Sequence, residues 1–362
     1  MKARAAVMVA PGKMEVRELE VPADPPSGGA IVRITANGLC GVDYELFHQL
    51  IPAKIEFPII AGHEMVGEIV KLDPEAARAW GVAEGDRVAI EPNVYCGACR
   101  NCISGRGRFC RNLFRYSLEP VDSGHGLWGG MAEYMVLVKG TRVTKVPRHV
   151  SDRDAGLFNV FGNAFDMAGR VGQVGLGDRV LILGPGQRGL GCAAVAAEAG
   201  AAQIIVTGLD RDAHKLALAP EFGATDVIRV EQDETVERVM ELTDGQGVDL
   251  VIDTVPGATD PILDGVAALR SEGTLVLSGV KGREITGLSP DVIFLKALTI
   301  KGAFATTPWA TANSMRLLAG GRYPFDKLHS HAFGLDDVER AIGILGGDVD
   351  DPTPVVHITI EP

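Results

Sequence analysis

From Arg179 the chain reads RVLILGPGQRGLGCAAVAAEAG: an apolar strand, then Gly184, Gly186 and Gly189 spaced as G-x-G-x-x-G, then an alanine-rich helix. No other stretch restricts the possible folds as strongly. Glycine at these positions permits a tight turn, close backbone approach to a ligand and close packing of helix on strand, and a pyrophosphate can then sit on the amides of the helix N-terminus. With 45 glycines in the chain the bare string carries little weight, and its place between strand and helix carries the argument. Downstream come QIIVTG, a charged helix, DVIRV, VDLVIDTV, GTLVLSGV and LTIKGAF. This alternation predicts an α/β domain whose parallel sheet ends near Ala303 and has helices on both faces.

The first 150 residues have another texture, with short β-branched runs such as AIVRITA, GEIV and RVAI between glycines and prolines, which predicts a barrel-like β unit. A chain of 362 residues suits two domains. We place the dinucleotide-binding domain at residues 158–304, entered through Asn159 to Gly177, and the β domain at 1–157 with the tail 305–362. The 46% hydrophobic and 23% charged content excludes a disordered chain, and a net charge of −12 disfavours nucleic acid and anionic membranes. Neither a signal peptide nor a run of about 18 apolar residues is present, so the chain reads as cytoplasmic.

Four of six cysteines, Cys96, Cys99, Cys102 and Cys110, stand as C-x2-C-x2-C-x7-C in one glycine-bearing loop. Such spacing lets four thiolates converge on a structural zinc, a closed site without chemistry of its own. A redox disulfide pair and an iron–sulfur cluster are the alternatives. After the second strand of the parallel domain the terminal position is Gly208, with Asp210 and Arg211 beyond it. Asp210 suits an adenosine ribose and NAD, Arg211 suits a 2′-phosphate and NADP, and both also suit a solvated helix start with Asp210 as N-cap. The balance leans to NAD.

Upstream lie GLCGVD with Cys40 and AGHEMVGEIV with His63 and Glu64. In order with the cysteine loop and the glycine turn, these motifs resemble the zinc-containing medium-chain dehydrogenase/reductase superfamily of alcohol, polyol and threonine dehydrogenases, across essentially the whole chain. The resemblance implies a GroES-like β-barrel domain carrying a catalytic zinc, a Rossmann domain carrying NAD or NADP, and a small secondary alcohol, polyol or matching carbonyl compound as substrate. It also implies Cys40 and His63 as zinc ligands, Glu64 behind them or in the shell, and a homodimer or homotetramer formed through the edge strand LTIKGAF. The resemblance further implies that Gln187 and Arg188 join the glycines of the turn as cofactor contacts, and that Val255, Gly279, Val280, Ala303 and Phe304 lie near the nicotinamide.

Two positions depart from that pattern. The third zinc ligand falls at Asn159, in LFNVFGNAF, where an amide is a poor ligand and an outer-shell donor is the better role. Val42 stands where a Ser or Thr usually starts a proton relay, so Glu45 or His48 becomes a candidate general base, unless both lie on a solvated helix face. Three readings follow: zinc held by Cys40, His63 and Glu64 with water; a zinc-free reductase; or a nucleotide-binding relative without catalysis. Asp43 reads as a backbone tie, Cys192 as a buried small residue, and Trp128, Phe161 and Trp309 as core more than pocket wall.

Overall fold

The computed structural model describes residues 1–51 and 54–362. They form two compact units, Met1–Phe158 with Met315–Gly320 and Leu328–Pro362, and Asn159–Ser314 with Gly321–Lys327.

The first unit opens with β1 (Lys2–Ala10), β2 (Lys13–Glu20), β3 (Ala30–Gly38), β4 (Ile59–Ile60), β5 (Glu64–Leu72) and β6 (Arg87–Ile90). It continues with the short ribbon β7 (Asn93–Val94) and β8 (Phe114–Arg115), then β9 (Tyr134–Leu137) and β10 (Val143–Lys145). β1 pairs with β2 and β4, while β10, β6, β5 and β3 run antiparallel in a larger sheet, with β9 also on β3. Val7, Met8, Ile31, Ile59, Met65, Val88 and Met135, drawn from both sheets, share one apolar core.

In the second unit β11 (Arg179–Leu183), β12 (Gln203–Gly208), β13 (Asp226–Arg229), β14 (Val248–Asp253), β15 (Leu269–Leu277) and β16 (Thr299–Gly302) form a fully parallel sheet. Its order is β13-β12-β11-β14-β15-β16. This is the doubly wound order, and the direction of winding reverses between β11 and β14, the point at whose carboxyl ends sheets of this kind bind their ligands. Runs such as Val180 to Leu183 and Leu250 to Ile252 are buried throughout, as covering both faces requires.

Two strands near the end of the sequence, β17 (His329–Phe333) and β18 (His357–Ile360), return to the larger sheet of the first unit, where β18 lies between β17 and β3. The whole of 305–362 was expected there, but 305–314 and 321–327 belong to the second unit. Asp166 accounts for the first piece, accepting hydrogen bonds from the Thr307 amide (2.6 Å) and hydroxyl (3.1 Å). Tyr323 accounts for the second: it stacks on Phe222 and donates to Glu198 Oε1 at 2.9 Å. These contacts are long-range, so local patterning did not reveal them.

Candidate functional site

The β7–β8 ribbon closes the base of the cysteine loop. Within it the four sulfurs of Cys96, Cys99, Cys102 and Cys110 all lie within 4.8 Å of one another, and none is paired as a disulfide. Gly97, at φ 72°, allows the turn that folds the Cys99 amide back onto Cys96 Sγ at 3.4 Å, and the Cys96 amide donates to Cys110 Sγ at 3.4 Å. Amide donors favour the thiolate: the Arg111 and Cys102 N–H groups bring Cys99 down to about 6, whereas burial lifts Cys102 to about 12. Four soft donors at this spacing suit a tetrahedral zinc.

A second group forms where β3 ends and β5 begins. Ligand atoms of Cys40, His63 and Glu64 lie within 4.8 Å of one another. Cys40 caps the helix Gly41–Phe47, and the fully buried Asp43 in its first turn accepts from the Cys40 amide at 2.9 Å. The other Asp43 oxygen faces His63 Nδ1 at 3.4 Å, which leaves Nε2 for a ligand. Burial opposes a charge on His63, but the Asp43 carboxylate and the Cys40 sulfur together outweigh it, and His63 titrates well above the usual imidazole range. Glu64 is fixed from behind: its amide donates to Asn37 Oδ1 (3.3 Å), and any side chain at Gly38 would overlap its carboxylate. Thiolate, imidazole and carboxylate are the donor types of an open zinc site, so the residues fit the metal. Asp43 was expected to hold backbone only, and its role toward His63 was missed because helix and loop meet only in the fold.

The remaining expected residues divide. Asn159 is buried and its amide oxygen accepts from Asn163 Nδ2 at 2.7 Å. Glu45 and His48 do not join the metal-ligand group. His48 follows Cys40 by eight residues, about 12 Å along a helix at 1.5 Å per residue, and its Nε2 meets Asp348 at 3.1 Å while its ring lies on Tyr44. It anchors a helix end. Trp128 and Phe161 are core, whereas Trp309 is half-exposed against Phe165. Val42 packs against the apolar core of the first unit, and Cys192 is buried.

In the second unit the glycine turn has the form its spacing implied. Gly184 has φ +97°, a Cβ on Gly189 would overlap the Gly184 carbonyl, and Gly186 faces open space as N-cap of the helix Gln187–Glu198. Gln187, Arg188 and Gly189 form that helix's first turn, so the residues fit a bound pyrophosphate. Gly208 ends β12, and a side chain there would run into the Pro185 ring, which explains why no acid occupies that position. Asp210 is not an N-cap; Leu209 has that place. The Asp210 carboxylate accepts from Gln232 (2.8 Å) and its amide donates to Glu231 (2.6 Å), while Arg211 is exposed. Val255 touches the glycine turn through the Gly184 position, and Gly279 and Val280 follow β15. Ala303 and Phe304 follow β16, with the Ala303 amide on Leu277 O.

Comparison with known proteins agrees with this geometry. Residues 26–148 match the family "Alcohol dehydrogenase GroES-like domain" and residues 189–320 match "Zinc-binding dehydrogenase". The chain is 37% identical to the Mycobacterium tuberculosis H37Rv protein named "Probable alcohol dehydrogenase adh", over 99% of this chain and 98% of that one. It is 32% identical to the L-threonine 3-dehydrogenase of Paraburkholderia phymatum, over 95% and 96% of the two chains. A structure from Sinorhizobium meliloti 1021, described as that of a zinc-binding dehydrogenase bound to NADP, superposes with a TM-score of 0.85 at 27% identity, covering all of both chains. The glycine turn on a doubly wound sheet, the cysteine loop and these full-length matches together establish that the chain belongs to the zinc-containing medium-chain dehydrogenase/reductase superfamily, with a GroES-like domain and a Rossmann domain.

Proposed function

We propose that the chain is a zinc-dependent oxidoreductase that interconverts a small secondary alcohol or polyol and its carbonyl compound, using a nicotinamide cofactor. The convergence of Cys40, His63 and Glu64 around a common point, with Asp43 behind His63, carries this reading. Bound zinc supplies a Lewis acid, and the nicotinamide exchanges the two electrons as hydride. The chain's own residues do the rest. Cys40 and Glu64 bring two negative charges to the metal position, and His63 presents Nε2 because Asp43 takes Nδ1. Gly186 and the first turn of the helix Gln187–Glu198 bind the pyrophosphate through backbone amides. NAD remains the favoured cofactor: the carboxylates of Asp210 and Glu231 at the end of β12 repel a 2′-phosphate.

Val42 offers no hydroxyl to move the substrate's proton, which leaves Glu45 and His48, in and just after the helix Gly41–Phe47, as the candidate general bases, His48 with its Nε2 on Asp348 at 3.1 Å. The test is elemental analysis of wild type and Cys40→Ala, alongside turnover of a panel of secondary alcohols and polyols with NAD and NADP. Two zincs per chain falling to one, with turnover lost, is the expected result. One zinc unaffected by the substitution would overturn the zinc-dependent reading.

A further inference from the structure

Lys281 and Asp253 form the most deeply buried lysine–carboxylate pair among the described residues, with Nζ 2.6 Å from Oδ2 and side chains 12% and 0% exposed. No step of the proposed chemistry uses them. A buried pair of this kind is often matched or exceeded in stability by apolar residues of similar volume, so stability alone does not explain it. Its place in the sheet does.

Asp253 is the last residue of β14 and lies beside Leu183, the last residue of β11, across the point where the winding reverses. Gly184 begins the glycine turn on one side of it. On the other side Asp253 O accepts from the Ser278 amide at 3.1 Å, at the end of β15. Between them runs the segment 253–257. Thr254 holds it to the turn, its amide on Leu183 O at 3.0 Å and its hydroxyl on Leu183 O and Gly184 O at 2.8 and 3.3 Å. Gly257 holds it to the far loop through Val280 O at 3.3 Å. The middle of the segment is fixed by charge: Asp253 Oδ1 accepts the Val255 amide at 3.2 Å, and Lys281 Nζ donates to the Val255 carbonyl.

We propose that Lys281 is a positioning residue for the dinucleotide: with its ammonium pinned by Asp253, it holds the Val255 carbonyl and so sets the separation between the glycine turn and the 278–281 loop. An apolar side chain would fill the same space without fixing that carbonyl's direction. The inference rests on the reading of the second unit as a nicotinamide-dinucleotide site.

The test uses the full-length protein with Lys281→Met and the double variant Asp253→Asn with Lys281→Met. The double variant leaves no uncompensated buried charge and is the safeguard should the single one fold poorly. NADH and NADPH binding are titrated by fluorescence, and the melting midpoint is measured with and without dinucleotide. In the double variant we expect the dissociation constant of the better-bound dinucleotide to rise about tenfold or more, as loss of preorganisation implies, with a matching fall in the thermal upshift it gives. A purely structural role would lower the melting midpoint and leave that upshift intact. Binding within about twofold of wild type in the folded double variant would overturn the proposal alone. Wild-type protein that binds neither NADH nor NADPH would overturn the dinucleotide reading and this proposal with it.

Discussion

At the scale of single residues, the candidate metal position depends on one carboxylate that is not itself a ligand. Asp43 ties the Cys40 amide and faces His63 Nδ1, so both donors move if it moves. Replacing Asp43 with Asn is expected to weaken metal retention at this position by ~10–100-fold, measured by chelator competition with the four-cysteine zinc as an internal reference. The pH dependence has a definite sign. His63 titrates well above its usual range, so a proton competes with the metal for Nε2 and retention weakens as pH falls. In Asp43→Asn the larger of the groups that raise His63 is gone while Cys40 stays, so the loss of metal should set in at lower pH, although retention at high pH is lower. Cys40, His63 and Glu64 were legible in the sequence because short motifs carry them in order. The Asp43–His63 contact and the Pro185 ring over Gly208 were not, since each joins residues about 20 positions apart through tertiary packing.

At the scale of elements, the glycine turn tests how far a local pattern can be trusted. Its strand, its helix and its backbone conformation all followed from periodicity and spacing, because each is set within one turn of chain. Gly189→Ala is expected to push against the Gly184 carbonyl, costing about 1–3 kcal/mol of stability and removing NADH-induced fluorescence changes, while leaving zinc content unchanged. A retained fluorescence response would show that the turn can relax. The helix Gly41–Phe47 teaches the opposite lesson. Its composition left open whether His48 faces a site or solvent, and the answer lies with Asp348, 300 residues away in sequence. The same holds for 305–314 and 321–327, whose place in the second unit depends on Asp166 and Phe222.

For the whole molecule, β16 is the open edge of the six-stranded sheet, and Ile300 on it is exposed together with Phe294 (80%) and Leu295 (76%) on the preceding helix. An apolar edge is a template for pairing with another strand, and a second copy of the chain is the partner that the family resemblance implied. Light scattering should report a dimer or larger assembly, and Ile300→Lys should shift it toward monomer; a monomeric wild type would set this expectation aside. Among the described residues no helix is long and apolar enough to cross a membrane. The placement of β18 against β3, Thr359 opposite Gly38 and Ile360 opposite Asn37, also sets a clock. Asn37 and Gly38 are the residues against which Glu64 rests, yet their strand partner is translated 319 residues after Gly38 (357 − 38), roughly 15–60 s later at ~5–20 residues per second. During synthesis the nascent loop that carries the candidate metal ligands therefore waits, with the Asn37–Gly38 end of β3 uncovered on one side, until the entire second unit has emerged from the ribosome.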